Sequence, residues 1–429
     1  MNKVAKFGSS QLKLLFFMYV GYAVLMIMRQ SLMAISPDLI ADPYVGLTKT
    51  KFGEMLAYGN LGGLVGKIIF GWSADRFGGK LNFFVVLTSV ALFITCFGLN
   101  TNFYAFCFIF FLISVTKSGG WPSLAKMIEH WYHPSQYGRV WGAISTASRV
   151  GTIVATLGFG YLLRYLSWSQ TLYAVAGIGI VYSIIWFLFV KERPKEEIIV
   201  DPDFEVKIDT EHRFHEKSLN FALLDFLKSK RVWLIFVAMM GLTVLMNFLD
   251  FVPIFLKETL NMTSSDAVMT ATAFPLGAFF AVLIGGYIFD TMPAKMITKT
   301  MGTLLTISVL CIVLILNLSY FQLEMSQNIK AVWLCLFTFG FSISPAFYLP
   351  MSIFSIKYGG VYSGALICIL DIGGFFAAAV SAYTVGWLSD QTMGWHKVLY
   401  LLIGLGIITM ILTVMFLHGE AKEEEKALA

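Results

Sequence analysis

Long apolar blocks, separated by short polar segments, run through this sequence from about residue 12 to residue 418. A helix needs about 20 residues to cross the hydrocarbon core of a bilayer, and the blocks have that length. Backbone groups in lipid must satisfy their own hydrogen bonds, so we expect each block to be helical. The composition agrees, because the chain is 57% hydrophobic and only 13% charged, about half the charge of a typical soluble domain. The pattern predicts an all-α membrane protein with twelve transmembrane helices. In chain order, helices 1 to 12 are predicted at about 12–36, 53–73, 82–99, 103–128, 139–163, 170–190, 232–256, 267–289, 299–319, 329–354, 362–387 and 396–418.

The predicted helices form two groups of six that resemble each other. Residues 71–75 (GWSAD) close helix 2, and residues 286–290 (GYIFD) close helix 8. Residues 168–177 share Trp, Leu-Tyr and Gly at identical offsets with residues 395–404. Such internal repeats are typical of transporters that hold their solute near the midplane between two halves. The predicted domains are an N-terminal six-helix bundle at 1–190, a cytoplasmic linker at 191–230, a C-terminal six-helix bundle at 231–418 and a cytoplasmic tail at 419–429.

Positively charged loops set the predicted orientation, because Lys and Arg are enriched in the cytoplasmic loops of membrane proteins. With an even number of spans, the loops that carry these residues lie on the same side as both termini. Both termini are therefore predicted to be cytoplasmic, in a multi-pass protein of the plasma membrane (the bacterial inner membrane). The residues that fix this side are Arg76, Lys80, Arg139, Lys295, Lys299 and Lys357.

Four positively charged residues lie well inside the predicted spans, all in the N-terminal half: Arg29, Lys67, Lys117 and Arg149. A charge at the centre of a spanning helix costs roughly 2.5–3.5 kcal/mol, so four cost on the order of 10 kcal/mol unless they face a polar cavity or partners. Arginine can hold a carboxylate or a phosphate through two parallel hydrogen bonds. The pattern favours a cationic wall that binds an anionic solute; structural ion pairs and snorkelling lysines are the alternatives.

The C-terminal half offers the opposite charge. Asp371 lies in the middle of helix 11, and Asp250 lies toward the outer end of helix 7. A carboxylate in a low-dielectric cavity favours its protonated form and a neighbouring arginine reverses this, so Asp371 is the candidate for proton coupling. A plain salt bridge is the alternative role for it. Asn247 is a further polar residue that could line the cavity.

Residues 71–80, Gly-Trp-Ser-Ala-Asp-Arg-Phe-Gly-Gly-Lys, resemble the GxxxDRxGxK/R motif between helices 2 and 3 of the major facilitator superfamily. The resemblance implies the fold of that superfamily and alternating access. The residues that would form its conformational latch at the cytoplasmic face are Gly71, Asp75, Arg76, Gly78 and Lys80. Within the superfamily, the N-terminal half is similar to the organophosphate:phosphate antiporters, such as the glycerol-3-phosphate and glucose-6-phosphate transporters. The matching positions are Gly21, Tyr22, Arg29, Pro37, Lys67, Gly120, Trp121, Pro122, His130 and Trp131.

The resemblance also implies roles for single residues. Arg29 and Lys67 fall where the antiporters hold basic residues that face the substrate phosphate, and Tyr22 falls on a pocket tyrosine. The sequence departs from the pattern at Leu245, where the glycerol-phosphate members have a second arginine, and at Ser148, where they have a histidine. The symmetric two-arginine clamp is therefore absent from this sequence.

These observations predict a secondary active transporter of a small, multiply charged anion. A polycarboxylate, including a carboxylate-type siderophore, with proton coupling is the leading hypothesis, because four cations exceed what one phosphate monoester needs. The alternatives are an organophosphate/phosphate antiporter, a membrane-embedded substrate sensor on the same scaffold and, less favoured, an amino acid or nucleoside transporter.

Other classes of protein lack support in the sequence. No Cys/His metal spacing, phosphate loop or nucleophile triad pattern is present, which argues against an enzyme and predicts neither metal nor cofactor. The five cysteines all lie in apolar blocks, where we expect them to be small buried side chains. We expect a monomer whose partners are the anionic solute, the lipid bilayer and protons as a coupling ion, without nucleic acid.

Overall fold

The computed structural model describes residues 7–194, 214, 217–289, 292–318 and 324–428, with all their side chains except those of 286–289, 352 and 424–428. Every regular element in these residues is helical. Residues 195–213 and 215–216 of the predicted linker, Asp290 of the internal repeat and Ala429 of the tail lie outside the described residues.

The helices follow one another along the chain with short connections. Those of the first half are α1 (Ser9–Ala41), α2 (Lys49–Phe77), α3 (Gly79–Gly98), α4 (Phe103–Lys117), α5 (Gly120–Trp131), α6 (Tyr137–Leu162) and α7 (Trp168–Phe189). Those of the remainder are α8 (Leu219–Lys228), α9 (Lys230–Asn247), α10 (Val252–Thr259), α11 (Ser264–Ala271), α12 (Ala273–Phe289), α13 (Ala294–Leu316), α14 (Met325–Gly359), α15 (Ser363–Ser389) and α16 (Gly394–Leu428).

A helix lies at each of the twelve predicted spans. In the described residues, nine helical segments are long and apolar enough to cross a membrane, and one of them, Met325–Ser389, contains both α14 and α15. α2 and α6 occupy the two other predicted spans; they are long enough but carry charged residues along their length. The predicted all-α membrane fold is therefore confirmed. α16 continues through Leu428, so the described part of the predicted tail is helical.

Three of the membrane helices are interrupted in the described residues. The fourth span breaks between α4 and α5 at residues 118–119, and the seventh opens into the 3-10 turn Phe248–Phe251 after α9. The eighth breaks at Thr272, between α11 and α12. Pro275 accounts for the last break, because it has no N–H to donate to the carbonyl of Ala271.

The chain divides into two compact units. The first consists of Met1–Glu205 with Pro253–Thr272, and the second of Val206–Val252 with Ala273–Ala429, each within the described residues. The stretch Pro253–Thr272, which follows α9 in the predicted C-terminal bundle, thus packs with the N-terminal helices. The bundle boundaries at 190 and 231 follow the internal repeat and remain a prediction.

Helix pairs build each unit. In the first, α1 packs against α6, α2 against α4, and α3 against α7. The α2–α4 pair is very close at Gly66, where an added Cβ would lie 2.1 Å from the carbonyl oxygen of Val115. In the second unit, α12 packs against α14, α13 against α16, and α9 against both α15 and α16. These pairings determine which charged residues can lie at the same level.

Candidate functional site

The membrane-embedded cations of the first unit lie on only some of its helices. Arg29 is on α1, Lys67 is on α2, Lys117 ends α4, and Arg149 is on α6. α7 contains no charged residue, and α3 has only Lys80 in its first turn. The cations therefore belong to the α1–α6 and α2–α4 pairs, whereas the α3–α7 pair is apolar. This segregation is expected where charged helices line a polar cavity.

The helix bounds place Arg149 and Lys67 far from the ends of their helices. Arg149 lies about 18 Å along the axis from Tyr137, where α6 begins, and Lys67 lies about 15 Å from Phe77, where α2 ends. The side chains of Arg29 and Lys67 are exposed, and those of Lys117 and Arg149 are half-buried. Charged side chains at such depth almost always face the protein interior or a water-filled cavity.

Lys67 and Lys117 lie at the same level of the α2–α4 pair. Gly66 packs directly on the backbone of Val115. Lys67 follows Gly66, and Lys117 comes two residues after Val115. The two lysines therefore flank one point of close backbone contact.

The aromatic ring of Phe110 lies near both Arg29 and Lys117. The ammonium group of Lys117 lies 5.2 Å from the centroid of the Phe110 ring, which is within cation–π range. The same ring and Arg29 line one small cavity among α1, α3, α4 and α7. Gly59 of α2 leaves room for the ring, because an added Cβ there would overlap it. Phe110 thus belongs to the candidate site, although no pattern in the sequence separates it from the other aromatic residues.

Arg149 and Tyr22 lie near one crossing of α1 and α6. Gly151 of α6 packs against the backbone of Ala23 of α1. Gly151 comes two residues after Arg149, and Ala23 comes directly after Tyr22. Tyr22 is only 9% exposed, and its ring centroid lies 5.6 Å from that of Trp121. Tyr22 therefore packs α1 against α5, and the contact with solute that was expected of it stays a prediction.

In the second unit, the predicted polar residues form two separate groups. Asp250 lies in the 3-10 turn after α9, and Asn247 is the last residue of α9. Asp371 lies in α15, which packs on α9 with Gly374 beside Thr243. Since these helices belong to spans of the same direction, Asp371 and Asp250 are on the order of 15 Å apart along the helix axes.

The motif at residues 71–80 forms the turn between α2 and α3. Gly78 ends α2 with a φ of +83°, a conformation that favours glycine. The carboxylate of Glu192, beyond α7, accepts hydrogen bonds from the backbone N–H groups of Gly79 at 2.9 Å and Lys80 at 2.7 Å. A carboxylate at a helix N-terminus also interacts favourably with the helix dipole. The start of α3 is therefore tied to the end of α7.

The other motif residues lie at the surface of the first unit. Asp75 lies 3.5 Å from the ammonium group of Lys126, and its side chain is 78% exposed. The guanidinium group of Arg76 lies 5.8 Å from the ring centroid of Trp72. Gly71 has no atom near the position of a Cβ. The latch function expected of the motif stays a prediction.

A second charged cluster joins the end of α1 to the stretch Pro253–Thr272. The ammonium group of Lys257 lies 3.3 Å from the carboxylate of Asp38. It also donates hydrogen bonds to the carbonyl of Pro37 at 3.1 Å and to the hydroxyl of Ser264 at 2.8 Å, and that hydroxyl donates to Asp38. We name Asp38, Lys257 and Ser264 the outer cluster, because the predicted orientation puts the end of α1 outside.

Two further ion pairs flank the outer cluster. Lys49 and Glu258 are 2.8 Å apart, and Arg164 and Asp266 are 3.3 Å apart. Each pair joins residues more than 100 positions apart in the sequence. The sequence analysis missed the outer cluster and these pairs because no local pattern signals such contacts.

The described residues contain no group of three or more His, Cys, Asp or Glu side chains placed to hold a metal ion. All five cysteines are free: Cys107 and Cys311 are buried, Cys335 is half-buried, and Cys96 and Cys368 are exposed. The expectation of burial is therefore wrong for Cys96 and Cys368. In a membrane protein an exposed apolar side chain is not penalised where lipid surrounds it.

Curated relatives match nearly the whole chain. The hexuronate transporter of Bacillus subtilis (strain 168) is 23% identical over 430 residues, which cover 96% of this chain and 96% of that protein. The probable hexose phosphate transport protein of Chlamydia muridarum (strain MoPn / Nigg) is also 23% identical and covers 94% of this chain and 90% of its own length.

A solved structure shares the fold. It is the crystal structure of a bacterial homologue of the human lysosomal transporter Spinster, inward-facing and unoccupied, with a TM-score of 0.73 and 14% identity over 96% of this chain and 98% of that chain. The family described as the Major Facilitator Superfamily matches residues 18–378. The predicted superfamily and its multi-pass membrane fold are confirmed, as is the prediction that the protein is a transporter and not an enzyme. The bacterial relatives agree with a location in a bacterial inner membrane. This chain belongs to the Major Facilitator Superfamily.

Proposed function

We propose that this protein is a secondary active transporter that moves a small, multiply charged organic anion by alternating access. The observation that carries the proposal is the segregation of the four membrane-embedded cations onto the α1–α6 and α2–α4 pairs. Each charge is costly in lipid, so four of them on two helix pairs of one unit indicate a cavity that receives a negatively charged ligand.

Arg29 is the primary anchor in this proposal. Its side chain is exposed, and among the described residues of the first unit no carboxylate lies within ion-pair distance of it. A guanidinium group can donate two parallel hydrogen bonds to a carboxylate or a phosphate. Lys117 adds a second positive charge on the same side of the unit. Its ammonium group lies over the ring of Phe110, which lines one cavity together with Arg29.

The spacing of the two arginines favours an anion with separated acidic groups. Arg149 lies near the level of Tyr22, which is about 10 Å along α1 from Arg29. A polycarboxylate carries several acidic groups that can bind arginines at different levels of the helices, whereas a phosphate monoester carries one. A tricarboxylate, or a carboxylate-type siderophore as a larger member of the class, is therefore the proposed substrate.

The relatives support an acidic solute. One is named for hexuronate, which carries a carboxylate, and another for hexose phosphate, which carries a phosphate. The hexose phosphate relative favours organophosphate/phosphate exchange as the second candidate function. The presence of Arg29 and Lys67 in this chain favours the same function. The two candidates differ in coupling, because an exchanger requires phosphate on the opposite side of the membrane.

Asp371 is the proposed proton-coupling residue. It is half-buried in α15, beside Gly373, which packs closely on Phe236 of α9. A carboxylate whose surroundings change between two states can bind a proton in one state and release it in the other. Asp371→Asn should abolish the dependence of uptake on a proton gradient, while Asp250→Asn, at the end of α9, should retain it. Gradient-driven uptake that persists in Asp371→Asn would place proton coupling elsewhere.

Uptake into proteoliposomes tests the proposed function. Radiolabelled citrate, a hexuronate and a hexose phosphate would be compared with a neutral hexose, with and without internal phosphate and an inward proton gradient. The proposal expects gradient-driven uptake of citrate that does not need internal phosphate. Uptake of hexose phosphate only with internal phosphate would support the exchanger, and uptake of the neutral hexose alone would contradict an anion cavity.

A further inference from the structure

A groove at the cytoplasmic end of the first unit lies apart from the membrane-embedded cations. It is formed by the start of α1, the end of α5 and the end of α7, and its volume is about 410 Å³. Lys13 and Lys191 lie at its edge, and aromatic side chains form its walls. We propose that this groove binds the phosphate group of an anionic phospholipid from the cytoplasmic leaflet.

Specific contacts hold the walls of the groove in place. The side-chain amide of Gln11 donates a hydrogen bond to the carbonyl of Trp131 at 2.8 Å, which joins α1 to α5. The indole N–H of Trp131 donates to the carbonyl of Lys191 at 3.2 Å, which joins α5 to the residue just beyond α7. The rings of Phe17 and Phe189 stack with centroids 6.3 Å apart. The groove is therefore formed by packed helices rather than by a loose surface segment.

The charge of the groove is positive. The ammonium groups of Lys13 and Lys191 are exposed, and neither has an ion-pair partner among the described residues. Glu192 is the neighbouring carboxylate, but its oxygens accept hydrogen bonds from the start of α3 and one lies 3.2 Å from His130. Basic pockets between transmembrane helices on the cytoplasmic side are typical sites for anionic lipid headgroups.

The surroundings of the groove favour a lipid over free phosphate. Large apolar side chains next to the two lysines are exposed: Leu12 by 51%, Phe16 by 64%, Leu188 by 68% and Phe189 by 58%. Lysines at the ends of membrane helices reach the headgroup level while their stems lie along apolar surface. A phospholipid can thus place its phosphate between the lysines and its acyl chains on these apolar side chains, whereas free phosphate would use only the lysines.

Titration of the full-length, detergent-purified protein with lipid, followed by native mass spectrometry, tests this site. Dioleoylphosphatidylglycerol should bind more tightly than dioleoylphosphatidylcholine. Each lysine near an anionic headgroup contributes about fivefold in affinity, so Lys13→Gln with Lys191→Gln should weaken phosphatidylglycerol binding by about 25-fold. The matched control, Lys228→Gln with Lys230→Gln, removes the same charge from residues outside the groove and should change affinity less than twofold.

The remaining measurements separate the possible sources of binding. Lys13→Arg with Lys191→Arg keeps both charges and should retain binding, which guards against a general loss of folding in the glutamine variants. Inorganic phosphate at matched ionic strength should not displace the lipid. Equal loss of binding in the control variant, unchanged binding in Lys13→Gln with Lys191→Gln, or displacement by inorganic phosphate would each overturn the proposal.

Discussion

Arg29 and Asp38 lie on the same helix, about 14 Å apart along α1, but their surroundings differ. Asp38 faces the ammonium group of Lys257 at 3.3 Å and accepts a hydrogen bond from Ser264. Arg29 has no ion-pair partner among the described residues of the first unit. The comparison separates two uses of charge in a membrane helix: the charge of Asp38 is compensated within the protein, and that of Arg29 is available to a ligand.

The same comparison extends to the effects of substitution. Loss of one member of a compensated pair should change conformation or stability more than ligand affinity. Loss of an uncompensated cation should change ligand affinity and leave the fold nearly intact. The outer cluster and Arg29 can therefore be distinguished experimentally.

The largest expected effect comes from removing both arginines of the α1–α6 pair. Each charge-assisted hydrogen bond is worth about 1.5–3 kcal/mol, so Arg29→Gln with Arg149→Gln should lower uptake of the tricarboxylate by at least about 100-fold. Arg29→Lys should retain part of the activity, because lysine keeps the charge but not the fork geometry. Uptake rates in proteoliposomes measure this. Wild-type uptake by the double glutamine variant would show that these cations are structural.

The next effect concerns the outer cluster. Asp38→Asn leaves the ammonium group of Lys257 without its carboxylate, and the pair is partly exposed, with 29% of the Lys257 side chain and 32% of that of Asp38 accessible. We expect the contact between the end of α1 and the stretch Pro253–Thr272 to be weakened by about 1 kcal/mol. The equilibrium constant for separating these two segments should then rise about fivefold. The measurement is the maleimide reactivity of Ala267→Cys, a fully buried position in α11, against the background of the native cysteines.

Asn261→Cys provides the control for that measurement, because residue 261 is already exposed. Its reactivity should be the same with and without Asp38→Asn. If Ala267→Cys also reacts at an unchanged rate, the outer cluster does not hold α11 against the end of α1. Affinity for the solute should change by less than twofold in Asp38→Asn.

Two glycines of the cytoplasmic motif should respond in opposite directions. Gly78 has a φ of +83°, and an added Cβ would lie 2.6 Å from a carboxylate oxygen of Glu192. Gly78→Ala should therefore destabilise the protein by about 1–2 kcal/mol. Gly71 lies inside α2 with open space at its Cβ position, so Gly71→Ala should stabilise by about 0.5–1 kcal/mol. Thermal unfolding of both variants checks this, and equal shifts would contradict the assigned geometry.

The smallest expected effect on stability belongs to Asp75. Its carboxylate is largely exposed and 3.5 Å from Lys126, and exposed pairs contribute little. Asp75→Asn should change the free energy of unfolding by less than about 0.5 kcal/mol. A large reduction in uptake at unchanged stability would support the predicted latch function, and a large loss of stability would indicate that Asp75 has a mainly structural role.

The sequence predicted the fold well because hydropathy is a local property. Runs of about 20 apolar residues specify membrane helices without knowledge of their neighbours, and charges inside those runs stand out. The positions of Arg29, Lys67, Lys117 and Arg149 could therefore be identified before any contact was known. Their grouping on the α1–α6 and α2–α4 pairs required the helix packing.

Other parts of the site depend on contacts that the sequence does not record. Asp38 and Lys257 are 219 positions apart, and each alone reads as an ordinary charge near a helix end. Phe110 is one of 39 phenylalanines, and only its contact with Lys117 and the cavity that it lines with Arg29 separate it from the others. The break after Asn247 lies in a run with no glycine or proline between residues 242 and 252, so no helix-breaking residue indicated it.

The most direct test of the anion cavity is the equilibrium binding of citrate to purified protein by isothermal titration calorimetry, compared between wild type, Arg29→Gln and Arg139→Gln. Arg139 lies near the start of α6, over the ring of Phe7, and serves as the matched arginine outside the cavity. The account predicts binding that is at least about tenfold weaker in Arg29→Gln and within twofold of wild type in Arg139→Gln. Equal affinity in wild type and Arg29→Gln would contradict the claim that the uncompensated cation on α1 receives the anion.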